Sequence, residues 1–217
     1  MEETFYIDVW GDVICPFCYF GKRQLAKALE DFSPGVPVEV RYHAFELDPR
    51  APASYDRTLP ELLSAKYGMP VEQAEHMHRQ SEKDALRWGM TWRMDLCQTG
   101  NTFDAHRVIE AGREQGLAEV LTEALMEDYF CEGVLISDRA ALRETALSCG
   151  LELPNDFFDS TAFVDEVRAD EQAAMEYGIT GVPTMIIDGR FMFSGAQGPD
   201  AIRDVLERAF ARRALLN

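Results

Sequence analysis

The 217-residue chain reads as an α/β protein with strands at its two ends and an all-helical middle. Three observations predict this. The opening alternates strand, helix and strand. The stretch 49–159 carries apolar stripes at helical spacing and no clear strand. The end carries a hairpin signal and one last helix. Hydrophobic residues make up 47% of the chain, enough to bury a sizeable core as one or two domains.

Residues 5–10 form an apolar run that Gly11-Asp12 ends, so they read as a strand. A helix follows from Pro16, which suits a first turn because its missing N–H has no partner there. Leu25, Ala28, Leu29 and Phe32 give it one apolar face, and Pro34-Gly35 breaks it. Residues 36–45 read as a second strand. Helical stripes then run through Leu59, Leu62, Leu63 and Tyr67, and through Val71, Ala74, His78, Ser81, Ala85 and Trp88. Two more run through Ala105, Val108, Ile109 and Gly112, and through Leu117, Val120, Leu121, Ala124, Leu125 and Tyr129. Ser137-Asp138 predicts an N-cap for a helix carrying Leu142, Ala146 and Cys149. Ser160 or Thr161 caps a helix that Gly178 stops. Residues 184–188 and 190–194 flank Asp188-Gly189, a hairpin turn, and Gly198-Pro199-Asp200 opens the last helix.

The charge balance excludes some partners. Lys and Arg number 21 against 38 Asp and Glu, a net charge of −17. Nucleic acid and anionic membranes call for clustered positive charge, so neither is expected as a partner. No apolar h-region follows the acidic start, and no uncharged run reaches the ~18 residues of a membrane span. The expectation is a cytoplasmic protein. Five cysteines in a reducing compartment argue against a structural disulfide framework.

The chemistry sits at Cys15-Pro16-Phe17-Cys18, between the first strand and the first helix. A helix N-terminus has unpaired N–H groups and partial positive charge, which favours the attacking thiolate. Cys15 is then the nucleophile, and Cys18, one turn on, the resolving thiol. A zinc site would need further ligands at matching spacing. Cys97, Cys131, Cys149 and the histidines offer no second pair, and His76-x-His78 has no cysteine nearby. The dipeptide Pro16-Phe17 tunes the redox potential. Phe17 supplies no side-chain donor to Cys15, which predicts a weaker oxidant than a histidine there would give. Lys22 and Arg23 read as solvated helix residues that could add positive potential. Met77, Met90, Met94, Trp88 and Trp92 read as core, with an adaptable apolar groove as the other reading. Cys149 reads as buried and inert; Cys97 and Cys131 as a second redox pair is an open alternative.

Gly181-Val182-Pro183-Thr184 stands just before the hairpin. In this order of elements the chain resembles a thioredoxin fold. More closely, residues 12–22, 101–107, Tyr129-Phe130 with Glu132-Gly133, and 194–197 resemble the DsbA-like proteins of the FrnE type, related to the 2-hydroxychromene-2-carboxylate isomerases. The blocks span essentially the whole chain. The resemblance implies a thioredoxin unit of residues 1–48 and 160–217, interrupted by an all-helical inserted domain at 49–159. It implies a cis peptide before Pro183, with Val182 and Pro183 holding a substrate segment beside the dithiol as an added strand would be held. It implies that polar residues of the insertion, Asn101 and Arg107, face the dithiol near the substrate; read alone, Asn101 caps a helix and His106 is a packed, hydrogen-bonded side chain.

The function so implied is thiol–disulfide exchange on disulfide-containing proteins or small-molecule thiols. No metal or organic cofactor is implied, glutathione is a candidate co-substrate, and a homodimer is left open. The alternative is a glutathione-dependent isomerase or kappa-class transferase. Those enzymes typically carry serine where this chain has Cys15 and lack the second thiol.

Overall fold

The structure, a computed structural model, describes residues 4–213; the acidic start, residues 1–3, lies outside them. The chain divides into two compact units, Met1–Leu47 with Ala169–Asn217, and Asp48–Arg168.

The first unit is built on β1 (Phe5–Gly11), α1 (Pro16–Glu30), β2 (Val38–Ala44), β3 (Thr184–Ile187), β4 (Phe191–Ser194) and α8 (Pro199–Arg213). The sheet order is β2-β1-β3-β4. β1 runs parallel to β2, with Phe5 opposite Val38, and antiparallel to β3, with Val9 opposite Met185. This is the thioredoxin arrangement. Alternation along β1 explains its place at the centre, because both its faces are covered. Phe5, Ile7 and Val9 join Leu25 and Ala28 of α1 and Ile202, Leu206 and Ala209 of α8 in one core. Trp10 points to the other face, against Ala174, Ile179 and Ile186. The hairpin joining β3 to β4 turns at Asp188 (φ 50°) and Gly189 (φ 65°). Two successive positive φ values make a type I′ turn, the hand that matches strand twist, and glycine takes its second position without strain.

The second unit is helical: α2 (Leu59–Tyr67), α3 (Val71–Arg87), α4 (Phe103–Arg113), α5 (Ala118–Glu127), α6 (Arg139–Ser148) and the start of α7 (Val164–Glu176). Thr58 and Glu61 form a capping box at α2, with the Thr58 N–H donating to Glu61 Oε2 at 2.8 Å. Asp138 caps α6 by accepting from the Ala140 N–H at 2.8 Å. Leu121, Leu125, Tyr129, Phe130, Ile136, Leu142 and Phe157 are fully buried. Trp92 stacks on Phe130 at 4.5 Å between ring centroids. Met90 and Met94 are buried beside them in sequence, so these residues are core; Met77 is exposed.

Three features differ from the sequence reading. The stripe of α5 does not run on as an α-helix through Tyr129: Asp128–Glu132 is a π-helical turn, closed by Gly133 at φ 70°. The helix predicted from Ser160 or Thr161 starts at Val164, after Phe163 at φ 59°. The second junction between units falls inside α7, after Arg168, rather than at 159/160. Arg107 is the reason. Its guanidinium donates to the carbonyls of Phe157 (2.8 Å), Ser160 (2.9 Å) and Ala162 (2.9 Å) and so ties this stretch to α4. Arg168 then lies 4.1 Å from the centre of the Phe103 ring at the other end of the tie.

His78, on α3, is buried, and its Nε2 has no hydrogen-bond partner among the described residues. Burial lowers its pKa, against Glu82 and Glu75, which favour the charged ring. The unfolded chain therefore takes up a proton near the ordinary pH of 6.5 while the folded chain resists it. Stability present above that pH is lost as pH falls below it. Denaturant midpoints measured from pH 7.5 to 5 will drop for the native chain and drop less for His78→Gln. Equal slopes for both would refute this.

Candidate active site

Cys15 is the N-cap of α1, with extended backbone (φ −90°, ψ 115°), and Pro16 follows in the first turn. This geometry turns the Cys18 N–H onto Cys15 Sγ at 3.3 Å. A charge forming on that sulfur meets a donor at a helix N-terminus rather than bare core. The loop that delivers Cys15 is fixed from below by Asp12. Its carbonyl accepts from the Cys15 N–H at 3.1 Å, and its carboxylate accepts from the Leu47 N–H at 2.8 Å.

The second wall comes from far along the chain. The Val182–Pro183 peptide is cis. Cys15 Sγ donates to the Val182 carbonyl at 3.6 Å, across 167 residues of sequence. Pro183 packs on the helix itself: a Cβ added at Gly21 would stand 3.0 Å from Pro183 Cγ. Cys15 is 3% and Cys18 5% exposed, while Phe17 between them is 59% exposed. Both thiols are thus buried, while the Phe17 ring between them in sequence stands in solvent.

The two cysteines differ in chemistry. Burial pushes the Cys18 thiol well above its ordinary pKa, and the hydrogen bond and charge of Cys15 push it the same way. The backbone of Asp12 works in the opposite direction. Burial and Cys15 thus both favour the protonated Cys18 thiol. All five cysteines are thiols in this structure.

The structure brings Cys15, Pro16, Phe17, Cys18, Val182 and Pro183 into one site. Asn101 and Arg107 belong to the helical unit. There Asn101 Oδ1 accepts from the Phe103 N–H at 3.0 Å, at the start of α4, and Arg107 is turned inward onto the carbonyls above. Lys22 is buried rather than solvated, with its ammonium 5.8 Å from the centre of the Tyr42 ring. Cys149 is half-buried rather than buried: it shares the spacing of Leu142 and Ala146 but is the C-cap of α6, one position past its last residue, Ser148. Cys97 is buried, donates to the Tyr129 carbonyl at 3.4 Å, and is pushed up to about 12, chiefly by burial. A thiol so protonated is a poor redox partner for Cys131.

Sequence reasoning missed Asp12 and Gly21 as parts of the site. The available signal was their spacing around the cysteines, three residues before Cys15 and three after Cys18. Gly21→Ala tests the contact with Pro183. The proline ring cannot swing aside, so the added methyl pushes the loop away from Cys15. Exchange will slow by about tenfold with both thiols intact, since 1 Å of misplacement at a reacting centre can cost about 10²-fold. A rate unchanged from the native chain would show that the loop is not held by this contact.

A cysteine at a helix start, a second cysteine one turn on and a cis-proline loop against them make a dithiol site on a thioredoxin fold. The chain belongs to the DSBA-like thioredoxin domain family, whose model matches residues 6–207. It is 34% identical to a probable DsbA oxidoreductase of Streptomyces coelicolor, with a TM-score of 0.91 over 95% of this chain and 90% of that one. It is 27% identical to the uncharacterised protein YwbO of Bacillus subtilis, over 96% of each chain. It also shares its fold with a 2-hydroxychromene-2-carboxylate isomerase, at 18% identity, a TM-score of 0.71, and 98% and 99% coverage of the two chains. No helix among the described residues is long and apolar enough to cross a membrane.

Proposed function

We propose that the protein is a cytoplasmic thiol–disulfide oxidoreductase in which Cys15 attacks and Cys18 resolves. The observation that carries this is the pairing of Cys15 Sγ with the Cys18 N–H on one side and the Val182 carbonyl on the other. In the reducing direction, the Cys15 thiolate attacks a substrate disulfide, forms the mixed disulfide and expels one substrate thiolate. Cys18 then gives up its proton and attacks Cys15 Sγ. The Cys15–Cys18 disulfide forms, and the second substrate thiolate leaves. The dithiol loses two electrons, the substrate disulfide gains them, and the two cysteine protons end on the two product thiols. Two glutathione molecules, or another dithiol protein, restore the dithiol and leave as a disulfide. The backbone of Val182 and Pro183 holds the substrate segment. Its chemistry is that of an extended peptide or a small-molecule disulfide presenting one sulfur to Cys15. Pro16 and Phe17 set the potential.

The test is the reduction potential of the pair, read by thiol labelling across a glutathione redox series. The pair will titrate as a two-electron couple nearer the thioredoxin value of about −270 mV than the DsbA value of about −120 mV, because Phe17 offers Cys15 no donor. If no disulfide forms anywhere in the series, the redox reading is wrong.

A further inference from the structure

A half-buried charge cluster lies on the face of β1 opposite the main core. His43 of β2 presents Nε2 to Asp8 Oδ1 at 2.8 Å and Nδ1 to Asp170 Oδ1 at 2.6 Å. Neutral imidazole has one donor nitrogen and one acceptor nitrogen. Between two carboxylates, one of these contacts would set lone pair against lone pair. Only the doubly protonated ring donates to both. The charge balance agrees. Arg41 of β2 donates to Asp8 twice, at 2.8 and 2.9 Å. Two carboxylates then face one guanidinium and one imidazole, and the group is neutral only when His43 is charged. Two aromatic rings also pack on it: Trp10 of β1 stacks on His43 at 4.4 Å, and Arg41 lies 4.1 Å from the centre of the Tyr6 ring.

Asp170 is on α7, so this cluster docks a helix. Asp170 Oδ2 also accepts from the Ala44 N–H at 2.9 Å, and its carbonyl accepts from Trp10 Nε1 at 3.0 Å. The helix ends a few residues later in a tight cap. There the Gly178 N–H donates to the Met175 carbonyl at 3.0 Å and the Ile179 N–H to the Ala174 carbonyl at 2.8 Å. Trp10, Ala174 and Ile179 form one packed cluster that also takes in Val182, whose carbonyl meets Cys15 Sγ.

We propose that His43 is a positioning residue for the dithiol reaction: as an imidazolium shared by Asp8 and Asp170, it fixes α7 and hence the loop that sets Val182 against Cys15. This role rests on the dithiol reading above. Burial works against charge on the ring, but the hydrogen bonds and charges of Asp170 and Asp8 outweigh it and raise the His43 pKa. A raised histidine pKa means that the docking is fully present below the ordinary value of 6.5 and is lost as pH rises through the higher folded value.

Ring ¹⁵N NMR of the full chain from pH 5 to 10 reads the clamp directly. Both His43 nitrogens will be protonated at neutral pH, with a midpoint above 6.5. Exchange with a peptide disulfide is then compared between the native chain and His43→Gln. The rate ratio will be at least fivefold at pH 6 and will fall towards one as pH passes the His43 midpoint. A midpoint at or below 6.5, or a ratio that does not change with pH, overturns the proposal. Should His43→Gln fail to fold, Asp170→Asn serves: it will lower the midpoint and shift the inflection in rate by the same amount, and an inflection that stays put overturns the proposal. If the native chain shows no exchange at all, the dithiol reading fails and this role falls with it, while the NMR midpoint still reports whether the clamp exists.

Discussion

Cys18→Ser will turn the protein into a trap for its own substrates. The attacking sulfur keeps its geometry, because the donor to Cys15 Sγ is the backbone N–H at position 18 and not the side chain. Attack on a substrate disulfide proceeds, but the hydroxyl that replaces the thiol cannot expel the second half. A mixed disulfide on Cys15 accumulates, and turnover falls to the background set by external thiols. Cys15→Ser removes the first step and yields no adduct and no turnover. Intact-mass and peptide mass spectrometry, after incubation with a peptide disulfide, checks both. An adduct on another cysteine, or exchange that persists in Cys15→Ser, would sink the assignment. Cys97 is the internal control, since burial pushes its thiol up to about 12 and it will stay unmodified. The same experiment tests the isomerase alternative. Hydroxychromene isomerisation that survived the combined Cys15→Ser and Cys18→Ala changes would establish a second chemistry on this fold.

Arg107→Ala will destabilise the chain by about 3–5 kcal/mol, the range for breaking a buried ionic network. Arg107 is 2% exposed. It bonds three carbonyls and pairs with Asp104 at 2.7 Å, and its guanidinium lies 5.0 Å from the centre of the Phe157 ring. Its removal strands the carbonyls of Ser160 and Ala162, while that of Phe157 keeps the Ser160 hydroxyl at 2.8 Å, and each orphaned polar group costs about 1–3 kcal/mol when buried. Asp104 keeps one partner, because Arg139 reaches its other oxygen at 2.9 Å. That limits the loss. Arg107→Lys will not restore stability, since an ammonium lacks the planar fork that serves all four acceptors. Urea denaturation with an unchanged m-value measures the effect. A loss below about 1 kcal/mol would show that the carbonyls find other partners.

The residues declared the ends of the chain more clearly than its middle. Phe5, Ile7 and Val9 alternate with polar or aromatic neighbours, and Asp188-Gly189 prescribes its own turn, so the strands were legible. The cysteine pair was legible because spacing alone places it on one helical turn. What pattern could not supply was the partner of each buried polar group. Arg107 occupies a polar motif that read as a surface for substrate, yet its donors match carbonyls about fifty residues onward. His43 sits in an edge strand where a polar residue is unremarkable until Asp170 is brought to it. The π-helical turn at Asp128–Glu132 escaped for a related reason: one inserted residue leaves the apolar count unchanged while rotating the face. Lys22 followed the rule for helix charges and broke it only because Tyr42 lay beneath its stem.

The sheet order has a consequence for how the enzyme is made. β1 lies between β2 and β3, and β3 comes late in the chain. The 167 positions from Cys15 on to Val182 take on the order of ten to thirty seconds to synthesise, at about 5–20 residues per second. Throughout that interval the nascent chain carries both thiols without the loop that sets Val182 against Cys15. The helical unit is complete by Arg168, so it can fold while the ribosome is still working. The cysteine pair leaves the ribosome well before the loop that meets it, and until then it is open to oxidation by whatever surrounds the ribosome.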